Sequence, residues 1–309
     1  HLCPTAGTSR GARRRPALRL SPPVPKTFHF ISGLPRSGST LLAAILRQNP
    51  RIHAAMTSPV GSLFTSLHNT MGQSNEFSEF IDERQRERVL RGIFDLYYQD
   101  HPQEVIVDTN RLWCARLPLL FRLFPDAKVL CTVRNVAWIM DSVERLVRKN
   151  ALNPSRLFNS PAESDTVYHR VEALASRDRF VGFSYYALKE AFYSLEARNI
   201  LVIDYDLLAQ APARVLPLVY QFLGEPIFAH DFDNLDYQEP GFDARLGLAG
   251  LHEIKRKVAL RPRATVLPPD LFKQYSQLDF WKNREGSIAS VINPTPTPAT
   301  ATPATPTSP

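Results

Sequence analysis

The sequence predicts an α/β fold, a doubly wound parallel sheet with helices on both faces. Two observations carry that prediction. Four short apolar runs are each followed by residues at helical spacing, the pattern of βαβ units covered on both sides. The composition, 44 % hydrophobic and 22 % charged, is that of a globular chain. Phe28-His29-Phe30-Ile31 reads as a buried strand closed by Ser32-Gly33, and Leu41, Leu42, Ile45 and Leu46 then recur with helical period. Val105-Ile106-Val107 is a second strand and Leu117 to Phe124 part of a helix. Val129 to Val133 is a third strand, and Val136, Ile139, Met140, Val143 and Val147 form a helical stripe behind it. Phe180 to Leu195 reads as an aromatic-rich helix and Ile200 to Ile203 as a fourth strand. Val215 to Phe222 reads as a helix stopped by Gly224.

The folded domain is expected over residues 27–285. Residues 1–26 are a basic Pro/Arg-rich extension without an apolar segment, expected to be disordered. Residues 286–309, almost entirely Thr, Pro and Ala beyond 292, are expected to be a disordered tail. Long stretches at 60–100 and 150–180 are expected to build an acceptor pocket and a lid. No apolar run approaches the length of a membrane-spanning helix. The 37 Lys and Arg against 30 Asp and Glu give a net charge of +7, which favours anionic partners. Cys3, Cys114 and Cys131 are widely spaced, with no metal-site or disulfide pattern. A reducing, cytoplasmic compartment is therefore the expectation.

The stretch Gly33-Leu-Pro-Arg36-Ser37-Gly38-Ser39-Thr40 runs from the first strand into the first helix. Open backbone N–H groups at such a helix start bind anions, and glycine lets the chain approach oxygen atoms closely. The Gly33–Gly38 spacing matches the phosphate loop of nucleotide triphosphatases. Ser39, however, stands where their lysine would be, and Arg36 sits inside the loop. These features make the fold P-loop-type and argue against an ordinary ATPase or GTPase.

The loop resembles the 5′-phosphosulfate loop of sulfotransferases that use 3′-phosphoadenosine-5′-phosphosulfate (PAPS). It is most similar to the branch holding the tyrosylprotein sulfotransferases and bacterial relatives. A second motif of that family, a strand ending in arginine with a serine on the following helix, is matched by Val129 to Arg134 and Ser142. The resemblance covers residues 28–282. It implies sulfuryl transfer from PAPS to a hydroxyl or amine acceptor, a small molecule or a peptide tyrosine, leaving PAP and requiring no metal. It implies cofactor contacts from Arg36, Ser37, Gly38, Ser39 and Thr40, and from Arg134, Ser142, Tyr205, Lys257 and Lys273. Tyr205 reads equally as a strand-end cover of the core, and Lys273 as a surface lysine.

One departure concerns catalysis. The glutamate that serves as base in tyrosylprotein sulfotransferases is replaced by Thr57, and the lysine before the second motif by the surroundings of Asn110 and Arg111. Arg36 and Arg111 are the candidate catalytic cations. His252 is the first candidate base and Asp108 the second, with His53 and His68 behind them. Two other readings stay open, a P-loop kinase or nucleotide hydrolase and a non-catalytic basic nucleotide or nucleic-acid binder. Nucleic acid is the less favoured partner, and a homodimer is compatible with the sequence.

Overall fold

The computed structural model describes residues 25–292 apart from 153, 154, 238, 239 and 246. The basic extension up to residue 24 and the Thr/Pro tail from 293 onward lie outside the described residues. In chain order, strand β1 (Thr27–Gly33) leads into α1 (Ser39–Leu46) and β2 (Ile52–Ala54), then α2 (Val60–Thr70) and α3 (Glu83–Tyr97). Next come β3 (Val105–Thr109), α4 (Leu117–Leu123), β4 (Val129–Val133) and α5 (Val136–Lys149). Helices α6 (Pro161–Ser164), α7 (Val167–Ala175) and α8 (Gly182–Tyr193) precede β5 (Ile200–Asp204). The chain continues through α9 (Tyr205–Gln210), α10 (Pro212–Leu223), α11 (Pro240–Arg245), α12 (Pro269–Ser276) and β6 (Ser290–Ile292).

Among the described residues the strands form one parallel sheet in the order β2-β3-β1-β4-β5-β6. β1 therefore sits between β3 and β4, and the loops leaving these three strands open on the same edge. Alternation along β1 sends Phe28 and Phe30 to one face and Ile31 to the other. The first face packs against α2, α3, α4, α5, α7 and α8, with Phe30, Phe64, Phe94 and Trp113 in edge-on contact. The second packs against α1, α9 and α10. These two cores are the helical layers expected of a doubly wound sheet.

Three expectations change. The domain boundary at 285 is too early, because Ser290, Val291 and Ile292 pair with Leu201, Val202 and Ile203 as β6. The stretch 60–100 is not a lid: Phe64, Leu90 and Phe94 on α2 and α3, and Tyr98 just beyond, are buried in the core. β2 is an edge strand that the sequence pattern did not reveal. Cys114 and Cys131 are buried free thiols with sulfurs 3.5 Å apart. Among the described residues no helix is long and apolar enough to cross a membrane.

Candidate active site

The β1–α1 loop owes its path to two glycines. Gly33 has φ 103°, and a Cβ there would lie 2.3 Å from the Thr132 carbonyl oxygen of β4. Gly38, with φ 96°, caps α1, and a Cβ there would lie 2.7 Å from the Tyr205 ring. Between them Arg36 takes φ 57°, a left-handed backbone that is uncommon for a side-chain-bearing residue and recurs at ligand sites. No side chain caps α1 and no acidic residue stands in its first turn, so its leading N–H groups are open to an anion.

The loop borders a cleft of about 680 Å³ above the sheet edge. Arg36 Nε donates to Ser142 Oγ at 3.1 Å, which ties the loop to α5. Burial, with Arg134 beside it, lowers the Arg36 pKa to about 10, so it stays charged at neutral pH. Arg134, directly after β4, lies over the Tyr205 ring at 4.4 Å. Its Nε is buried without a hydrogen-bond partner, and its ion pair with Asp206 is long at 3.9 Å. A buried guanidinium nitrogen left unbonded calls for an acceptor. Ser39 and Thr40 also line the cleft.

The opposite side is closed by the segment 250–266. It is strapped to α5 by Asp141, a fully buried carboxylate. Asp141 accepts from Val266 N at 2.7 Å, Thr265 Oγ1 at 3.1 Å and Arg145 Nε at 3.0 Å, and it pairs with Arg263 at 2.7 Å. The strap brings Lys255, Arg261 and Arg263 to the cleft. It also delivers His252, whose Nδ1 lies 2.5 Å from Asp243 Oδ1. The His252 backbone N–H donates to Asp243 Oδ2 at 2.7 Å. With Nδ1 held by the carboxylate, Nε2 is the nitrogen left to accept a proton. Burial keeps the His252 pKa below 6.5 against the pull of Asp243, and Arg36 and Arg111 push it further down. The imidazole is therefore neutral at neutral pH and able to act as a base.

Asp243 was not among the residues singled out from the sequence. Nine residues and an irregular turn separate it from His252, and no spacing rule links them. Thr57 and Arg111 line the cleft as well, Arg111 lying over the Phe180 ring at 4.3 Å.

Several expected site residues lie elsewhere. Asp108 is buried outside the cleft and accepts from Ser58 Oγ, from Tyr98 OH at 2.5 Å and from Trp113 Nε1 at 2.7 Å. Burial outweighs these bonds and raises its pKa. With both oxygens engaged, it braces the 57–60 turn. The Ser37 hydroxyl is fully buried and bonds the Leu34 and Thr132 carbonyls, so only its backbone can face an anion. Lys273 is exposed on α12, which packs on α5 through Phe272 and Trp138, and it does not border the cleft. Lys257 reaches the cleft rim, but its ammonium pairs with Asp233 at 2.7 Å. His53 stacks near His101 in the β2 region and His68 lies against Phe64 on α2, both away from the cleft.

Fold and cleft together define an α/β protein with a glycine-bounded loop at an uncapped helix N-terminus and a histidine held by a carboxylate. The sequence matches the profile of the sulfotransferase family over residues 29–230, well over half of the chain. The chain belongs to that family. Solved structures with a similar outline include the sulfotransferase domain of the Synechococcus PCC 7002 olefin synthase. It is 19 % identical and has a TM-score of 0.47, over 83 % of this chain and 95 % of that one. The sulfotransferase domain from the curacin biosynthetic pathway is 18 % identical with a TM-score of 0.45, over 85 % and 93 % of the two chains. A sulfotransferase from Alicyclobacillus acidocaldarius is 18 % identical with a TM-score of 0.45, over 72 % and 89 %. No curated protein matches the sequence.

Proposed function

We propose that the chain transfers the sulfuryl group of PAPS to a hydroxyl or amine acceptor. The observation that carries this reading is the meeting of two anion-binding motifs at one cleft, joined by the Arg36–Ser142 hydrogen bond. PAPS carries a 5′-phosphosulfate and a 3′-phosphate, and the residues fit both. The open N-terminus of α1 and Arg36 suit the first group. Arg134, whose buried Nε lacks a partner, suits the second together with Ser142. Bound there, PAPS supplies an activated sulfuryl group, with PAP as the leaving group.

The remaining work falls to side chains of this chain. Nε2 of His252 takes the proton of the acceptor hydroxyl or amine as its oxygen or nitrogen bonds to sulfur and the sulfur–oxygen bond to PAP breaks. Asp243 holds the ring by Nδ1 and steadies the imidazolium that forms. Arg36 and the loop amides offset charge on the departing oxygens. The strap residues Lys255, Arg261 and Arg263 add positive field at the cleft.

A kinase reading loses support from Asp108. That carboxylate, near the end of β3 where a nucleotide's metal ligand would be sought, lies outside the cleft and is spent on three protein donors. The test is thermal unfolding with PAP against ATP and Mg²⁺. At a hundredfold excess over its Kd, PAP should stabilise the fold by about 2–3 kcal/mol. ATP with Mg²⁺ should do much less, because it lacks a 3′-phosphate. Equal stabilisation by both would count against the reading.

A further inference from the structure

Sheet order divides the cleft into two walls. β1 lies between β4 and β3. The anion-binding groups Arg36, Arg134 and Ser142 belong to the β1 loop and the β4 side. The β3 side contributes the turn Thr109-Asn110-Arg111, and nothing in the donor chemistry above uses it. Two features of that turn lack protein partners. Thr109 Oγ1 is buried, the residue being 7 % exposed, and it has no hydrogen-bond partner although Thr109 borders the cleft. The Arg111 guanidinium carbon lies over the Phe180 ring at 4.3 Å, and no carboxylate among the described residues pairs with it. Apolar residues share this part of the cleft: Leu157 and Leu251 cluster with Phe180, and Phe242 of α11 lines the cleft as well. His252 stands between the walls, close enough to feel both Arg36 and Arg111.

A guanidinium held over an aromatic ring, with no carboxylate partner, in a half-apolar recess keeps N–H donors free for a carboxylate-like group. A buried hydroxyl without a partner offers a hydrogen bond beside it. We infer that the β3 wall is the acceptor subsite, and that it selects hydroxyl compounds carrying an anionic group of the carboxylate class on an apolar framework. Arg111 pairs the anion, Thr109 Oγ1 bonds a polar atom of the acceptor, and the apolar residues cover its framework. This assignment rests on the sulfuryl-transfer reading and gives Arg111 a place on the acceptor in preference to the sulfuryl group.

The test uses the full chain saturated with PAP and two pairs of probes. One is hydroxyphenylpropionate and its methyl ester, the other hydroxyoctanoate and its methyl ester. Calorimetry should show each acid binding more tightly than its ester by about tenfold to a hundredfold, the range for a hydrogen bond to a charged group. The pair with the larger difference identifies a phenolic or an aliphatic framework. In Arg111→Met the acid and its ester should bind alike, Arg111→Lys should restore part of the preference, and PAP affinity should stay unchanged in both. Unchanged PAP affinity also reports an intact fold. Equal binding of acid and ester to the wild type, no binding of any probe, or a preference that survives Arg111→Met would overturn the proposal while leaving the donor site standing. Failure of the wild type to bind PAP would instead overturn the donor reading, and the acceptor assignment with it.

Discussion

His252 and Asp108 show how placement, more than residue type, decides what a titratable group can do. Both were candidate bases in the sequence. His252 meets the cleft with one ring nitrogen fixed by Asp243 and the other open. Asp108 is walled in by Tyr98 and Trp113. His252→Ala should therefore lower kcat by about 10²–10⁴-fold with PAP affinity unchanged, as removal of a general base does. A base works in its neutral form, and burial holds the His252 pKa below 6.5. The pH profile of kcat/KM should accordingly be flat around neutrality and fall only on the acid side, with its midpoint below 6.5. A midpoint above that value, or unchanged turnover in His252→Ala, would place the base elsewhere. Asp108→Asn should do the reverse. It disturbs three buried donors and should cost about 1–3 kcal/mol of stability, read as a lower denaturation midpoint, with kcat retained. Loss of turnover at unchanged stability would return Asp108 to the list of bases.

At the scale of elements, the strap over 250–266 depends on one buried carboxylate. Asp141 on α5 receives Val266 N, Thr265 Oγ1, Arg145 and Arg263 at once. Asp141→Asn replaces an acceptor for charged donors with a neutral amide that itself needs acceptors, so the strap should detach more readily. Its lysines and arginines make the readout simple: trypsin should cut between residues 255 and 263 faster in the variant, and PAP should bind more weakly. An unaltered cleavage rate and affinity would show that Arg145 and Arg148, which also bond the strap backbone, hold it without Asp141. The same elements show what the sequence could and could not disclose. β1, β3, β4 and β5 are apolar runs buried on both faces, so they stand out without any tertiary information. β2 and β6 have three residues each, too few to carry a period, and only their neighbours' hydrogen bonds define them. α3 carries a local helix signal, the Asp82–Gln85 capping box followed by Leu90, Ile93, Phe94 and Tyr97 at helical spacing. The loop glycines were legible because their spacing is local, and Arg134 because the strand it ends resembles the family's second motif. The His252–Asp243 pair and the Asp141 strap were not, because each joins residues that only the folded chain brings together.

For the whole molecule, five of the seven net positive charges are arginines of residues 1–24, and the cleft's field is local, with Arg36, Arg111, Arg134, Lys255 and Arg261 facing a lining whose acidic member is Glu253. Such a field favours a multiply charged donor and makes its capture sensitive to salt. Fold, loop and strap then serve a single purpose in this account, which is to hold PAPS against an acceptor whose proton His252 removes. Mass spectrometry of a pool of hydroxyl and amine compounds incubated with the protein and PAPS tests that claim most directly. Products heavier by one sulfuryl group should form together with an equal amount of PAP, at a rate lowered about 10²–10⁴-fold in His252→Ala. A pool left unsulfated by a protein that binds PAP, or equal product from the wild type and His252→Ala, would contradict it.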